Sequence, residues 1–112
     1  MAIITDEFMR QMLSKTKNYS IVILKATRKR NEPGIEKIIW EHGRRNFMLR
    51  EEGLLSVVCP ISDGNNVAGV AIFNATIEET KKIMDEDPGV KAGIFIFEIY
   101  TCRSFPGDTL PK

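Results

Sequence analysis

Leu54-Leu-Ser-Val-Val-Cys-Pro-Ile-Ser-Asp-Gly-Asn-Asn-Val-Ala-Gly-Val-Ala-Ile-Phe73, followed at once by Asn74-Ala-Thr-Ile-Glu-Glu79, decides the fold. The apolar run Leu54 to Val58 stops at Cys59-Pro60. Ser62-Asp-Gly-Asn-Asn66 is a turn cluster, and Val67 to Phe73 is a second apolar run, so the two runs predict a β-hairpin. Thr76-Ile-Glu-Glu79 has the spacing of a capping box, which opens a helix carrying Ile77, Thr80 and Ile83. That helix stops before Asp87-Pro88-Gly89, because a residue preceding proline is pushed out of the helical region. Gly93 to Tyr100 then reads as a further strand.

Upstream, Tyr19-Ser-Ile-Val-Ile-Leu-Lys-Ala-Thr27 is β-branched, apolar and of strand length, and the charged stretch Arg28 to Gly34 closes it. From Ile35 to Glu52 the apolar residues recur at helical spacing, with Gly53 where a C-terminal cap belongs. Thr5-Asp6-Glu7 with Phe8, Met9, Met12 and Leu13 predicts a short capped amphipathic helix. Residues 1–18 thus read as a helical extension ahead of one domain, residues 19–112, whose last segment, Arg103 to Pro111, is a turn-rich surface tail. The domain order is strand, helix, strand, strand, helix, strand: a ferredoxin-like βαββαβ sandwich, class α+β. A sheet with one wet face should alternate apolar and polar residues. Ile21-Val-Ile-Leu24, Val67 to Phe73 and Ile94-Phe-Ile-Phe97 do not alternate. The face away from the helices therefore needs a cover. The N-terminal helix could supply part of it, and a second copy of the sheet would supply all of it, so the expectation is a homodimeric α+β barrel.

With sixteen Lys and Arg against fifteen Asp and Glu the chain carries a formal charge of +1, too little for the bulk attraction behind most nucleic-acid or anionic-membrane binding. No apolar run approaches the roughly 20 residues that span a bilayer, and the first residues carry no basic leader-like region, so a cytoplasmic location is expected. Two cysteines and one histidine do not have the spacing of a zinc site. No cofactor motif is present, and Val67 to Phe73 lacks the aromatics with which an RNA-recognition sheet stacks bases. Lys25, Arg28, Lys29 and Arg30 form a basic patch diluted by Glu32, Glu36 and Glu41, read as a solvated loop.

At about 100° per residue, Ile35, Ile38, Ile39, His42, Asn46 and Leu49 share one face of the long helix, while Arg44 and Arg45 are read with the charged arc opposite. The single histidine therefore points inward, with Asn46 one turn further on. A buried imidazole needs a partner, and Asp87, at the end of the second helix, is the best carboxylate available. Two readings stay open: a structural histidine satisfied by a partner, or a general acid/base whose tautomer an aspartate fixes. Cys59 is weighed as a nucleophile against an inert small hydrophobe. Trp40 and Phe47 lie about 20° apart on a second stripe, either as a pocket wall or packed against the N-terminal helix or a partner subunit.

Three pieces, in this order and spacing, resemble the YCII-related family of dimeric α+β barrel proteins: His42 with Gly53-Leu-Leu and Val58-Cys-Pro60; Asp87-Pro-Gly-Val-Lys-Ala-Gly93; and Ile94 to Ile99 running into Tyr100-Thr-Cys-Arg-Ser-Phe-Pro-Gly-Asp. The resemblance spans about Tyr19 to Pro111. It implies a His42–Asp87 dyad and chemistry of the kind linked to that family and its superfamily: chloride removal from hydroxylated rings, lactone isomerisation, or cofactor-free oxygenation. The chain departs from the family where Cys59-Pro60 replaces Gly-Pro and Tyr100-Thr101-Cys102 replaces His-Pro-Trp, which removes a second pocket histidine. The resulting expectation is a small cofactor-independent lyase or isomerase, dehydrochlorinase-like, acting on an acidic or phenolic metabolite. His42 and Asp87 are its candidate catalytic residues, and Asn46, Cys59 and Tyr100 its candidate substrate-binding residues. The alternative is a non-catalytic dimeric module that binds a small ligand or a protein.

Overall fold

The structure is a computed structural model describing residues 1–112. Its elements are α1 (Asp6–Ser14), β1 (Lys17–Ala26), α2 (Glu36–Glu51), β2 (Leu55–Pro60), β3 (Val67–Phe73), α3 (Ile77–Asp85), the single-turn α4 (Pro88–Lys91) and β4 (Phe95–Ser104). One sheet has the order β2-β3-β1-β4, and all neighbouring pairs are antiparallel. That order, with two main helices in βαββαβ succession, is the ferredoxin-like arrangement.

Local chemistry sets the boundaries. α3 begins at the expected capping box, with the Thr76 hydroxyl accepting from the Glu79 N–H at 3.1 Å and the Glu79 carboxylate accepting from the Thr76 N–H at 3.1 Å. These bonds hold the Glu79 carboxyl below its ordinary 4.5. α2 ends in a Schellman turn: Leu54 N–H bonds to the Leu49 carbonyl at 3.0 Å, and Gly53 adopts φ 78°, a conformation glycine takes without a Cβ penalty. Two expectations are corrected. The stretch from Asp87 is not only a turn, because Asp87 caps the helical turn α4 with proline at its first position, where the missing N–H costs nothing. β4 runs on to Ser104, since all ten of its residues from Phe95 pair with β1 from Ala26 back to Lys17.

Register fixes the faces. Ser20, Val22 and Leu24 of β1 are buried and stand beside Phe73 and Ala71 of β3 and Phe97 and Ile99 of β4, so these residues face the helices. With Leu49, Leu55, Met84, Ile94 and Phe95 they build the core. The alternate set faces away from the helices: Ile21, Ile23 and Lys25; Val70 and Ile72; Val57 and Cys59; Ile96, Glu98 and Tyr100. Within the chain nothing covers this open face. α1 does not do so, for none of its residues is buried and it makes no substantial contact with any other element.

Candidate active site

His42 stands in the middle of α2, on the face pressed against the sheet, with 15% of its side chain exposed. Its Nδ1 lies 2.7 Å from Oδ1 of Asp87, whose side chain is 1% exposed. The other carboxylate oxygen, Oδ2, accepts from the N–H groups of Gly89 at 2.9 Å and Val90 at 3.1 Å. A carboxylate only accepts, so Nδ1 of His42 donates and carries the imidazole proton. In the neutral ring this tautomer leaves the lone pair on Nε2, toward which Nδ2 of Asn46 points at 3.5 Å. The imidazole also leans on the Phe95 ring, with centroids 5.0 Å apart and planes inclined by 46°.

Each part of this arrangement has a local cause. The dyad depends on α4: with proline at the first helical position and Asp87 as its cap, one carboxylate oxygen holds the turn and the other is aimed at α2. Gly89 is required there, since a Cβ would come within 2.5 and 2.8 Å of the Phe95 ring carbons and 3.1 Å of Oδ2 of Asp87. Any side chain at position 89 would displace both groups that orient the histidine.

His42 and Asn46 line a cavity of about 80 Å³ between α2 and the sheet, its other walls including Val22, Leu24, Val58, Phe73 and Met84. It is mostly apolar, with the two polar side chains converging on one wall, the usual composition of a small-ligand site. The half-exposed Val58 and exposed Pro60 lie at the β2 edge, on the side where a ligand could enter. No group of three or more His, Cys, Asp or Glu side chains converges as a metal site.

Of the five candidate residues, the structure brings together His42, Asp87 and Asn46. It does not bring Cys59 or Tyr100 to them. Cys59 pairs with Val70 and Tyr100 with Ile21, so both side chains lie on the open face, across the sheet from the imidazole. The two-residue period of a strand decides this: in β2, Val58 and Pro60 face the cavity and Cys59 between them does not. Both cysteines are free thiols.

Tyr100 instead belongs to a polar cluster. Its hydroxyl donates to Glu98 at 2.5 Å, and Glu98 also pairs with Lys25 at 2.6 Å. The hydrogen bond to Glu98 holds the Tyr100 phenol above its ordinary 10.0, the bonds from Lys25 and Tyr100 hold Glu98 below 4.5, and Glu98 raises Lys25 above 10.5. The cluster is therefore intact across neutral pH, loosening as pH falls through the lowered Glu98 value or rises through the raised Tyr100 and Lys25 values. In an ultraviolet titration of the two tyrosines, one is expected to ionise above 10.0 and to return toward it in Glu98→Gln. Two phenols titrating together in both proteins would contradict the cluster.

Sequence reading missed Arg45. Helical periodicity alone puts it with the charged arc, yet it lies three residues from His42, on the same flank of the helix. Its side chain is 20% exposed, and its guanidinium is 4.0 Å from Oδ1 of Asp87. The i,i+3 spacing to the inward histidine was the available signal.

No protein-family model matches the chain, and no curated relative does. Among solved structures, it is similar to 5-chloro-2-hydroxyhydroquinone dehydrochlorinase from Burkholderia phenoliruptrix AC1100, in complex with 2,5-dihydroxybenzoquinone. The likeness is 18% identical, covers 75% of this chain and 91% of that one, and has a TM-score of 0.47. Nothing about this chain's chemistry follows from a likeness at that level. No helix is long and apolar enough to cross a membrane.

Proposed function

We propose that this chain is a small enzyme of lyase or isomerase type in which Nε2 of His42 takes a proton from a compact acidic or phenolic substrate and either returns it to another atom of the same molecule, as an isomerase, or passes it to solvent as a leaving group such as chloride departs with its bonding electrons, as a lyase. The observation that carries the reading is the 2.7 Å bond between Nδ1 of His42 and Asp87, which leaves Nε2 as the basic nitrogen on an apolar cavity. Asp87 orients the ring and favours the imidazolium formed when the proton is taken. Asn46 holds Nε2 in place at rest and is free to donate to a substrate oxygen once Nε2 is engaged. At about 80 Å³ the cavity is smaller than the roughly 150 Å³ that encloses benzene, so a ring engaging Nε2 would project from it at the β2 edge. The YCII-like order of motifs supports the choice of reaction class, and dehydrochlorination of a hydroxylated ring is the member of that class that the resemblance favours.

The test is incubation in deuterated buffer with a panel of small phenols, halogenated hydroquinones and hydroxy or keto acids, following deuterium uptake at carbon and halide release. Turnover of one substrate class is expected, with a loss of about 10²- to 10⁴-fold in His42→Ala. Equal rates in both proteins would sink the reading.

A second reading, a non-catalytic ligand-binding module, is favoured by one feature. Asp87 has a structural task whether or not chemistry occurs, because it caps α4. That reading expects a ligand bound in the cavity and unchanged by the protein over long incubation.

In either case we propose a homodimer formed by two open sheet faces. The faces carry Ile21, Ile23, Val70 and Ile72 with no cover in the chain, and Ile96 is 57% exposed on the same side. Large apolar sheet faces are rarely left to water.

A further inference from the structure

Two apolar surfaces outside the sheet have no partner within the chain. α1 presents Phe8, Met9 and Leu13, each more than two-fifths exposed. On α2, Trp40 and Phe47, 69% and 64% exposed, form a shallow groove with Ile39 and Gly43, rimmed by Glu36 and Arg44. A nine-residue helix is marginal alone in water, and an amphipathic one draws its stability from whatever covers its apolar stripe. We propose that α1 of one subunit docks in the Trp40–Phe47 groove of a second copy of the chain.

A chain cannot fill its own groove. Trp40 and Phe47 lie about 140° to 160° around α2 from His42, so they point directly away from the sheet. A helix docked on them would form a third layer, roughly 16–20 Å from β1 at the usual interaxial spacings. Only Lys15 and Thr16 join α1 to β1, and two residues reach about 7 Å. The occupant must therefore come from another molecule.

Size and charge fit that occupant. Phe8 to Leu13 spans about 7.5 Å of helix, and Trp40 to Phe47 about 10.5 Å. Gly43 leaves the floor of the groove open, since a Cβ there would meet nothing within 4 Å. α1 is acidic at its start, with Asp6 and Glu7, and Lys15 caps its end. Laid antiparallel on α2, it brings Lys15 toward Glu36, and Asp6 and Glu7 toward Arg50 and toward Arg44, which Glu41 already holds at 2.9 Å, with Glu51 at the same end. This contact lies on the far side of the molecule from the open sheet face. The inference does not depend on the role of His42.

Trp40 is the only tryptophan, so its fluorescence reports on the groove. The experiment follows Trp40 emission, acrylamide quenching and sedimentation over a dilution series of the full-length protein and of Met9→Glu/Leu13→Glu. α1 has no buried residue within the chain, so the double variant is expected to keep the fold of residues 17–104, with the loss of circular dichroism and of melting temperature limited to what α1 and its docking contribute. In the native protein Trp40 should be shielded at high concentration and become exposed on dilution, as the larger species dissociates. In the double variant it should be exposed throughout, with this association weakened about tenfold or more. Three outcomes would overturn the proposal: a Trp40 exposed at every concentration, one shielded independently of concentration, or one shielded equally in the variant.

Discussion

Replacing Asp87 by asparagine is expected to abolish most of the activity while leaving the fold nearly intact, and replacing it by alanine to unfold the protein at markedly lower temperature. The two substitutions separate the two tasks of one carboxylate. In Asp87→Asn the amide oxygen can still accept from the Gly89 and Val90 N–H groups, so the cap on α4 survives. The amide nitrogen then faces His42 and donates where the carboxylate accepted. Nδ1 must become the acceptor, the imidazole proton moves to Nε2, and the nitrogen on the cavity is no longer a base. A rate loss of about 10²- to 10⁴-fold is expected, with a stability loss of about 1 kcal/mol. In Asp87→Ala the helix cap goes, worth about 1 kcal/mol, and the half-buried Nδ1–H of the imidazole loses its acceptor, worth about 1–3 kcal/mol. The sum of about 3 kcal/mol corresponds to a fall in Tm of roughly 12 °C for a domain of this size. Thermal unfolding of both variants and nitrogen NMR of the lone histidine check this. An unchanged tautomer together with an unchanged rate in Asp87→Asn would exclude a base oriented by Asp87.

The parts of this site that were legible in sequence are those set by helical periodicity. His42 and Asn46 share the inward stripe of α2 because they are one turn apart on a helix whose apolar residues are unambiguous. Asp87 was legible as the nearest carboxylate, though not as a helix cap, because a single helical turn after Asp-Pro-Gly has the same composition as a plain turn. Strand residues were less legible. An apolar strand gives no alternation from which to choose a face, so Cys59 and Tyr100 could be assigned to the cavity side until pairing with Val70 and Ile21 fixed their parity. α1 shows a different limit: its cap and apolar stripe are local signals, whereas what covers the stripe is decided by tertiary placement, and within the chain none of its residues is buried. The lack of alternation that hid Cys59 is also what exposes the open face as one needing a partner.

Placing an aspartate at Ile72 is expected to split the sheet-face dimer. Ile72 lies on β3, flanked across the strands by Ile21 and Val57, near the middle of the open face. In a lone subunit the new carboxylate would reach water, so the monomer should keep its secondary structure. In a dimer closed through this face it would be stripped of water with no free cation beside it, since on β1 Lys25 is engaged by Glu98 and Lys17, four residues from Ile21, by Asn74. Two-fold symmetry places two such charges in each interface. At about 1.5 kcal/mol or more for each imperfectly solvated carboxylate, the dimer loses about 3 kcal/mol, a rise of roughly 10²-fold in its dissociation constant. Sedimentation over a concentration series measures this directly. A native protein that is monomeric at every concentration, or an Ile72→Asp variant that associates as tightly as the native chain, would leave the open face without the partner its composition demands. The α1 contact predicts a different response to the same substitution. Because the Trp40–Phe47 groove lies on the far side of α2, Ile72→Asp should leave the concentration dependence of Trp40 emission in place while removing the sheet-face contact, so the two interfaces can be dissected one at a time.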